Sequence, residues 1–250
     1  MSNNKNIYLV IFGANGFPND FSLSRIRLEK EARDTGWFTD VFNYSADDLI
    51  SYNKKLTGVG AGYYWWKSVV CQISLNKIKK NDIILYLDAG CSINIKAEKR
   101  FWEYIQLCDD GPGFVGFGCI GENPPIEKTY TKRDLLIHLK CDLPKYTETT
   151  QAVAGLFFVK NNQFGNHLIN EWVELSMNEH LIGDYISINP EYSEYKAHRH
   201  DQSILSLLLK LRLPKLNNYL LNSLEVATTL IEPFCSECPL KATRINDSHL

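Results

Sequence analysis

The sequence predicts an α/β fold in which helices flank a mainly parallel, twisted sheet. A continuous apolar run of strand length occurs at 7–12, and mostly apolar runs occur at 82–88 and 151–159. Such runs are typical of strands buried on both faces. Segments with helical spacing of apolar residues separate these runs, and alternation of strands with helices favours a parallel sheet. The 250 residues suit one large domain or two small ones, and we expect a single domain over 1–250.

The remaining elements follow from local patterns along the chain. Helices are expected at 22–34, 63–78, 96–108, 162–179 and 203–211, and further strands at 37–43 and 114–119. Ser45 and Asp48 form a capping-box pattern that starts a short helix. In the helix at 96–108 the apolar face is expected to hold Phe101, Trp102, Ile105 and Cys108. Residues 121–150 are polar and contain prolines, which predicts a long excursion with one short helix at 132–140.

Composition excludes several classes of protein. Lys and Arg number 27 against 29 Asp and Glu, a net charge of −2, which gives no basic face for nucleic acid. There is no run of 18 apolar residues, so no transmembrane helix is expected. No signal peptide is expected either, because a strand pattern begins at residue 7. Most of the seven cysteines lie in apolar runs, which indicates free thiols in a reducing compartment. We therefore expect a cytoplasmic protein, and we interpret the lone Cys235-x-x-Cys238 pair as incidental.

The clearest strand of the chain ends at an acidic residue. Asp88 closes the run that starts at Asp82, and the small residues Ala89 and Gly90 follow at once. In open α/β sheets, ligands bind beyond the carboxyl ends of the strands. A carboxylate there can hold a divalent cation or a ribose hydroxyl, while the small residues admit a bulky ligand. The alternative is that Asp88 only caps the following turn.

Aromatic residues make up 12% of the chain, and four of them stand together at 63–66, directly before Lys67. Four adjacent large rings cannot all lie on the buried face of one helix. We expect Tyr64 and Trp65 to face a cleft, where they would stack on a sugar, and Lys67 to pair with a phosphate. The alternative is a wedge of aromatic core with Lys67 reaching solvent along its aliphatic stem.

Two further segments carry candidate site residues. Ala154 and Gly155 lie inside the expected strand 151–159, and small residues in a strand indicate close approach of a ligand or of another backbone. The segment His198–Gln202 is polar throughout and precedes a buried helix. Asp201 alone is explained as a helix N-cap, but two histidines beside it exceed what a cap requires.

The order of these parts over roughly 7–211 resembles that of GT-A fold nucleotide-sugar glycosyltransferases, and is most similar to retaining galactosyl- and glucosyltransferase-like families. Asp88-Ala89-Gly90 stands where those enzymes have Asp-x-Asp, with glycine in place of the second metal-binding aspartate. The resemblance implies a nucleotide-binding half at 1–120 and an acceptor- and sugar-binding half at 121–250. It implies donor contacts from Phe12, Gly13, Lys67, Asp88, Ala89, Gly90, Ala154 and Gly155.

The same resemblance implies transfer of a hexose from a UDP-type donor to a saccharide or lipid-linked saccharide acceptor, with retention, in surface polysaccharide or glycoconjugate synthesis. Asp201 would hold the sugar, and Gln202 would lie near the anomeric carbon. Glutamine is a poor nucleophile, so a front-face reaction is expected. Asp88 would bind Mn²⁺ or Mg²⁺, and Tyr64, Trp65, His198 and His200 would contact the acceptor.

Other functions fit parts of the same pattern. An inverting enzyme needs a carboxylate base, for which Glu122, Glu148 or Asp201 could serve. A non-catalytic carbohydrate-binding module would use the aromatic cluster, and a Rossmann-type oxidoreductase would need a glycine fingerprint that the loop Gly13–Gly16 lacks. The segment 207–221 could contact the inner face of a membrane, but a buried helix followed by a strand is the favoured interpretation.

Overall fold

The computed structural model describes residues 5–14, 21–119, 124–213, 215–222 and 237–243. The strands are β1 Ile7–Phe12, β2 Asp40–Tyr44, β3 Ile83–Asp88, β4 Ser92–Ile93, β5 Phe114–Gly118, β6 Leu156–Lys160, β7 Leu220–Asn222 and β8 Leu240–Lys241. The helices are α1 Ser22–Thr35, α2 Gly60–Tyr63, α3 Trp66–Lys77, α4 Glu98–Asp110, α5 Glu127–Tyr130, α6 Arg133–His138, α7 Pro144–Thr147, α8 Gln163–Met177, α9 Glu179–Ile182 and α10 His200–Arg212. Short 3₁₀ helices span Ala46–Tyr52, Ile95–Ala97 and Leu216–Asn218.

A six-stranded sheet in the order β2-β1-β3-β6-β5-β7 forms the centre of the fold. β1 runs parallel to β2 and β3, and β5 runs parallel to β7. β6 is antiparallel to both of its neighbours, β3 and β5. The other five strands therefore share one direction, and the predicted α/β class with a mainly parallel sheet is confirmed.

Side chains of the sheet alternate between two cores, one on each face. Val10 and Tyr86 belong to the core that α3, α8 and α10 cover, whereas Leu9 and Leu85 belong to the core that α1 and α4 cover. Residues two apart on a strand point to the same face. Asp88, two residues after Tyr86, therefore lies on the face that carries α3 and α10.

The segment before α3 differs from the sequence prediction. We expected one helix over 63–78, but α3 begins at Trp66. The short element α2 is not a right-handed helix, because the five residues 60–64 have positive φ angles, including 51° at Ala61, 62° at Tyr63 and 63° at Tyr64. This left-handed turn cannot continue into a right-handed helix, and the left-handed conformation costs roughly 1–2 kcal/mol for each non-glycine residue. Such local strain is commonly found at functional sites.

Other elements also differ from the sequence prediction in their bounds or in their buried residues. β6 begins at Leu156 rather than 151. Ala152 makes only an isolated antiparallel bridge to Gly118 of β5, and the backbone N–H groups of Gln151 and Ala152 donate to Pro125 O and Ser206 Oγ. In α4 the expected apolar position Trp102 is 39% exposed, and Tyr104 is buried instead. The excursion after β5 holds three short helices, α5, α6 and α7, where one was expected.

The described cysteines are free thiols with one exception. Cys71, Cys91, Cys108, Cys119 and Cys141 are free thiols, as expected. Cys238, however, is disulfide-bonded, so the expectation of free thiols is wrong at this residue.

The apolar part of 207–221 is the buried end of α10 followed by β7, which confirms the favoured interpretation. In the described ranges no helix has both the length and the apolarity needed to cross a bilayer.

Candidate active site

A cleft of about 670 Å³ opens where the carboxyl ends of β1 and β3 meet. Phe12 and Asp88, the last residues of these strands, are register partners. Because β6 is antiparallel to β3, the segment that leads into β6 lies at the same edge. Of the site residues that the resemblance implies, all but Trp65 line the cleft, namely Phe12, Gly13, Tyr64, Lys67, Asp88, Ala89, Gly90, Ala154, Gly155, His198, His200, Asp201 and Gln202.

Lys67 joins the two acidic residues of the cleft. It lies in the first turn of α3, and its side chain is only 4% exposed. Its Nζ atom lies 2.8 Å from Asp201 Oδ2 and 3.2 Å from Asp88 Oδ1, and it donates to the carbonyl oxygen of Ala154 at 3.2 Å. Three chain segments that are far apart in sequence therefore converge on one ammonium group.

Burial and charge act in opposite directions on this cluster. Burial alone would lower the pKa of Lys67, but the carboxylates of Asp201 and Asp88 outweigh it and raise that pKa above its usual value. Burial raises the pKa of Asp201, against the opposing effect of the Lys67 ammonium. With all three groups ionised, the cluster carries 1 − 2 = −1 charge. The positive charge of Lys67 is thus already balanced within the protein.

The carboxylate of Asp88 is held in place and still reaches the cleft. Tyr86 donates its hydroxyl to Asp88 Oδ1 at 2.8 Å, and the Asp88 N–H donates to Gly155 O at 2.8 Å. A Cβ atom built on Gly155 would lie 2.7 Å from Asp88 Oδ2, so the absence of a side chain at 155 makes room for the carboxylate. The Asp88 side chain is nevertheless 45% exposed, which leaves it accessible to a ligand.

The loop that follows β3 is fixed from the opposite face of the sheet. One Nη atom of Arg27, on α1, donates to Ala89 O at 3.1 Å and to Cys91 O at 3.0 Å. The backbone of Cys91 also donates to Asp88 O at 2.8 Å. These bonds hold the small residues Ala89 and Gly90 against the cleft as a rigid wall.

The aromatic cluster divides between core and cleft. Trp65 is 1% exposed, and its ring nitrogen donates to Lys55 O at 3.4 Å, so its ring faces the interior and offers no surface for an acceptor. Trp66 stacks on Phe12 with ring centroids 4.0 Å apart. Tyr64, in the left-handed turn, lines the cleft, and its ring centroid lies 5.3 Å from Lys67 Nζ.

The two predicted acceptor histidines make hydrogen bonds to the backbone. His198 accepts the Lys132 N–H at its Nδ1 (3.3 Å), which leaves Nε2 to donate to Leu181 O at 3.0 Å. Burial lowers the pKa of His198 to about 3, and His200 contributes in the same direction. The Nδ1 of His200 lies 2.8 Å from Ile182 O. Both rings line the cleft but are almost completely buried.

Three residues that support the site, Tyr86, Gln151 and Arg27, were not predicted from the sequence. Tyr86 could have been found, because it stands two positions before Asp88 on one strand and must share its face. Gln151 and Arg27 carried no comparable signal. Gln151 accepts a hydrogen bond from the Gln202 amide at 2.9 Å, but that contact joins a loop to the start of α10.

A divalent cation fits the cleft only if the protein and a bound ligand both coordinate it. In the described part of the chain, no group of three or more His, Cys, Asp or Glu side chains could enclose a metal. Asp201 is turned to Lys67, and Asp88 is the predicted acidic residue that stays open to the cleft. Mg²⁺ is commonly held by one or two carboxylates together with substrate phosphates, and Asp88 can supply one such ligand.

Comparisons with known proteins give likenesses of fold. No protein-family model matches the chain, and no curated protein matches its sequence. The chain is similar to mouse xyloside xylosyltransferase 1 in its apo form, at 12% identity with a TM-score of 0.47, over 97% of this chain and 98% of that one. It is similar to a glycosyltransferase involved in the glycosylation of the major capsid of PBCV-1, at 12% identity and a TM-score of 0.43, over 77% and 81%. It is also similar to mannose-6-phosphate isomerase from Helicobacter pylori, at 14% identity and a TM-score of 0.38, over 69% and 76%.

Proposed function

We propose that the protein is a nucleotide-sugar glycosyltransferase that moves a hexose from a UDP-type donor to a saccharide acceptor with retention of configuration. The observation that carries the proposal is the cluster Asp88–Lys67–Asp201 in a cleft at the carboxyl edge of the sheet. It offers one carboxylate open to a polar ligand, Asp88, and one buried and rigidly oriented, Asp201. This division suits a donor with a charged leaving group and a neutral sugar rich in hydroxyl groups.

Charge arithmetic supports a divalent cation in this chemistry. A cluster of −1 charge does not attract a diphosphate by itself, because Lys67 is already paired with two carboxylates. We propose Mn²⁺ or Mg²⁺ shared between Asp88 and the diphosphate. When bound, such an ion would supply positive charge to the departing diphosphate. The role of Lys67 is then to hold Asp88 and Asp201 in fixed positions.

Two features of the described residues favour retention over inversion. Asp201 is ion-paired with Lys67 at 2.8 Å, so it is poorly placed to accept the proton of an acceptor hydroxyl. The Glu148 side chain is 63% exposed, and its Oε1 atom lies 3.9 Å from Lys128 Nζ. Glu148 does not line the cleft, so it is not placed to act as the base. Glu122, the third candidate base, lies outside the described residues. In a front-face reaction the departing phosphate oxygen takes the acceptor proton, and no carboxylate base is required.

In this proposal Gln202 supports the sugar as positive charge develops on it. Its side chain lines the cleft beside Asp201, and an amide oxygen near the anomeric carbon would stabilise that charge. Asp201 would accept hydrogen bonds from sugar hydroxyls. Trp65 and Trp66 are buried, so these two rings offer little of the exposed aromatic surface that a non-catalytic carbohydrate-binding module needs.

A thermal-shift screen tests the proposed ligand class. We expect UDP and UDP-hexoses to raise the Tm in the presence of Mn²⁺, with stabilisation of about 2.7 kcal/mol at 100 times the Kd, and NAD(P) to leave it unchanged. Asp88→Asn should remove the Mn²⁺-dependent part of the shift. Asp40→Asn is the matched control, because Asp40 is an exposed residue at the opposite end of β2. A shift with NAD(P) or with free sugars alone would contradict the proposal.

A further inference from the structure

Gln202 is bonded through its amide to a second, fully buried amide. Its Nε2 atom donates to Gln151 Oε1 at 2.9 Å. Gln151 is 0% exposed, and it lies in the segment between β5 and β6. The two ends of an amide differ chemically, since the nitrogen only donates and the oxygen only accepts. Which end of Gln202 faces the cleft therefore depends on which end of Gln151 faces Gln202.

The orientation of Gln151 is fixed by groups that can only accept. Its Nε2 atom donates to Glu127 Oε2 at 3.1 Å and to Tyr130 O at 3.3 Å. A reversed amide would place its oxygen against a carboxylate and a carbonyl, which is strongly unfavourable in the protein interior. Gln151 Oε1 must therefore point to Gln202.

Glu127 anchors this arrangement from the core. It is 0% exposed, and its Oε1 atom lies 2.6 Å from Lys210 Nζ on α10. Ser206 donates its hydroxyl to the same oxygen at 2.6 Å, and Thr131 donates to Oε2. A buried ion pair and two hydroxyl groups thus hold the carboxylate that orients Gln151.

From these contacts we infer that Gln151 is a positioning residue that turns the amide oxygen of Gln202 into the cleft. The Gln202 nitrogen is engaged by Gln151, so the Oε1 atom is the end left for a ligand. The inference rests on the proposed function, in which that oxygen faces the anomeric carbon. Hydrogen bonds and one ion pair connect Lys210, Glu127, Gln151 and Gln202 in that order. They orient the Gln202 amide so that its oxygen, the negative end of the dipole, faces the place where positive charge develops.

Replacement of Gln151 by methionine tests this role. Gln151→Met keeps the length of the side chain but removes the acceptor, so the Gln202 amide can rotate. We expect kcat for hexose transfer to fall about 10- to 100-fold, the range typical for partners that orient functional groups, while the donor KM changes less than twofold. Ser74→Ala is the matched control, because it removes a fully buried hydroxyl that donates to Val70 O at 2.7 Å, outside the network around Gln151. It should lower Tm and leave kcat within threefold. Equal kcat values for Gln151→Met and Ser74→Ala would overturn the inference.

A double-mutant cycle separates an effect through Gln202 from a general loss of structure. If Gln151 acts through Gln202, then Gln151→Met should change kcat less than threefold in a Gln202→Met background. Independent, multiplying effects of the two changes would overturn the inference. Failure of the proposed function is a different outcome, because it would appear as absence of transfer by the wild-type protein.

Gln202→Glu gives a second test if Gln151→Met does not fold. Gln202 is only partly buried, so this change should leave the fold intact. Its carboxylate cannot donate to Gln151 Oε1, and two acceptors would face each other. We expect kcat to fall at least tenfold, although a carboxylate is the better group for stabilising positive charge. Unchanged or increased kcat would overturn the inference.

Discussion

The Oδ2 atom of Asp201 lies 2.8 Å from the Nζ atom of Lys67, and both side chains are less than 10% exposed. This contact joins the start of α10 to the start of α3 on one face of the sheet. Taking two charges out of water is costly, so a buried pair adds little net stability, but removal of one partner leaves the other charge uncompensated. The pair therefore makes stability and site geometry depend on the same two residues.

Lys67→Met should lower the free energy of unfolding by about 3–5 kcal/mol, the usual cost of breaking a buried ion pair from one side. Urea denaturation at pH 7 measures it. Arg212→Ala is the control, because it breaks a partly exposed pair with Glu171 and should cost about 0–1 kcal/mol. Adding Asp201→Asn to Lys67→Met should recover part of the stability without restoring activity. Equal losses for Lys67→Met and Arg212→Ala would contradict this description of the pair.

Gly155→Ala should reduce hexose transfer with little change in Tm. The new methyl group would lie 2.7 Å from Asp88 Oδ2, and the carboxylate must turn away from Tyr86 and Lys67 to make room. Gly118→Ala is the matched control, because a Cβ there lies 3.8 Å from its nearest neighbour, an ordinary contact. Steady-state kinetics should show a loss of about tenfold or more for the first change. Equal rates of hexose transfer for Gly155→Ala and Gly118→Ala would show that the position of the Asp88 carboxylate is unimportant.

His198 should make the protein less stable in acid. Its pKa is lowered to about 3 by burial, with His200 and Lys132 acting in the same direction, whereas the ring in an unfolded chain has a pKa near its ordinary value of about 6.5. Between these values the unfolded chain binds one more proton at this residue, so the free energy of unfolding falls by about 1.4 kcal/mol per pH unit on acidification. Above about pH 6.5 the ring is neutral in both the folded and the unfolded chain, so the full stability is present and His198 causes no loss there.

Comparison of the wild type with His198→Gln isolates this effect from that of other titrating groups. Chemical denaturation at pH 7, 6, 5 and 4 should show a shallower pH dependence for the variant, whatever its stability at pH 7. Identical slopes for the two proteins would show that His198 is not held neutral in the folded state.

Three strands of the sheet were predictable because they are mostly apolar runs. β1 matches its predicted bounds, and β3 and β5 are within one residue of theirs. The position of Asp88 at the cleft also follows from the rule that ligands bind at the carboxyl ends of the strands. The prediction failed where conformation depends on contacts made elsewhere. The left-handed turn at 60–64 has no counterpart in helix-forming patterns, and the aromatic residues there suggested a helix start.

The charge balance of the site was likewise out of reach from sequence. Lys67 was expected to face a phosphate, but whether a lysine meets a ligand or a protein carboxylate depends on tertiary packing. Asp201 comes from α10, and its approach to α3 is set by how both helices cover the sheet. The Gln151–Gln202 contact depends in the same way on a loop, which no local pattern specifies.

The most direct test of the central claim is a transfer assay that follows release of UDP from UDP-hexoses together with glycosylated product. The wild-type protein should release UDP in proportion to product. Asp88→Ala and Asp201→Asn should each lose about a hundredfold or more of this activity, with asparagine chosen because it preserves the shape of the buried residue beside Lys67. Asp40→Ala should retain full activity. Full activity in both site variants with a verified donor, or no turnover of any UDP-hexose by the wild type, would contradict the account.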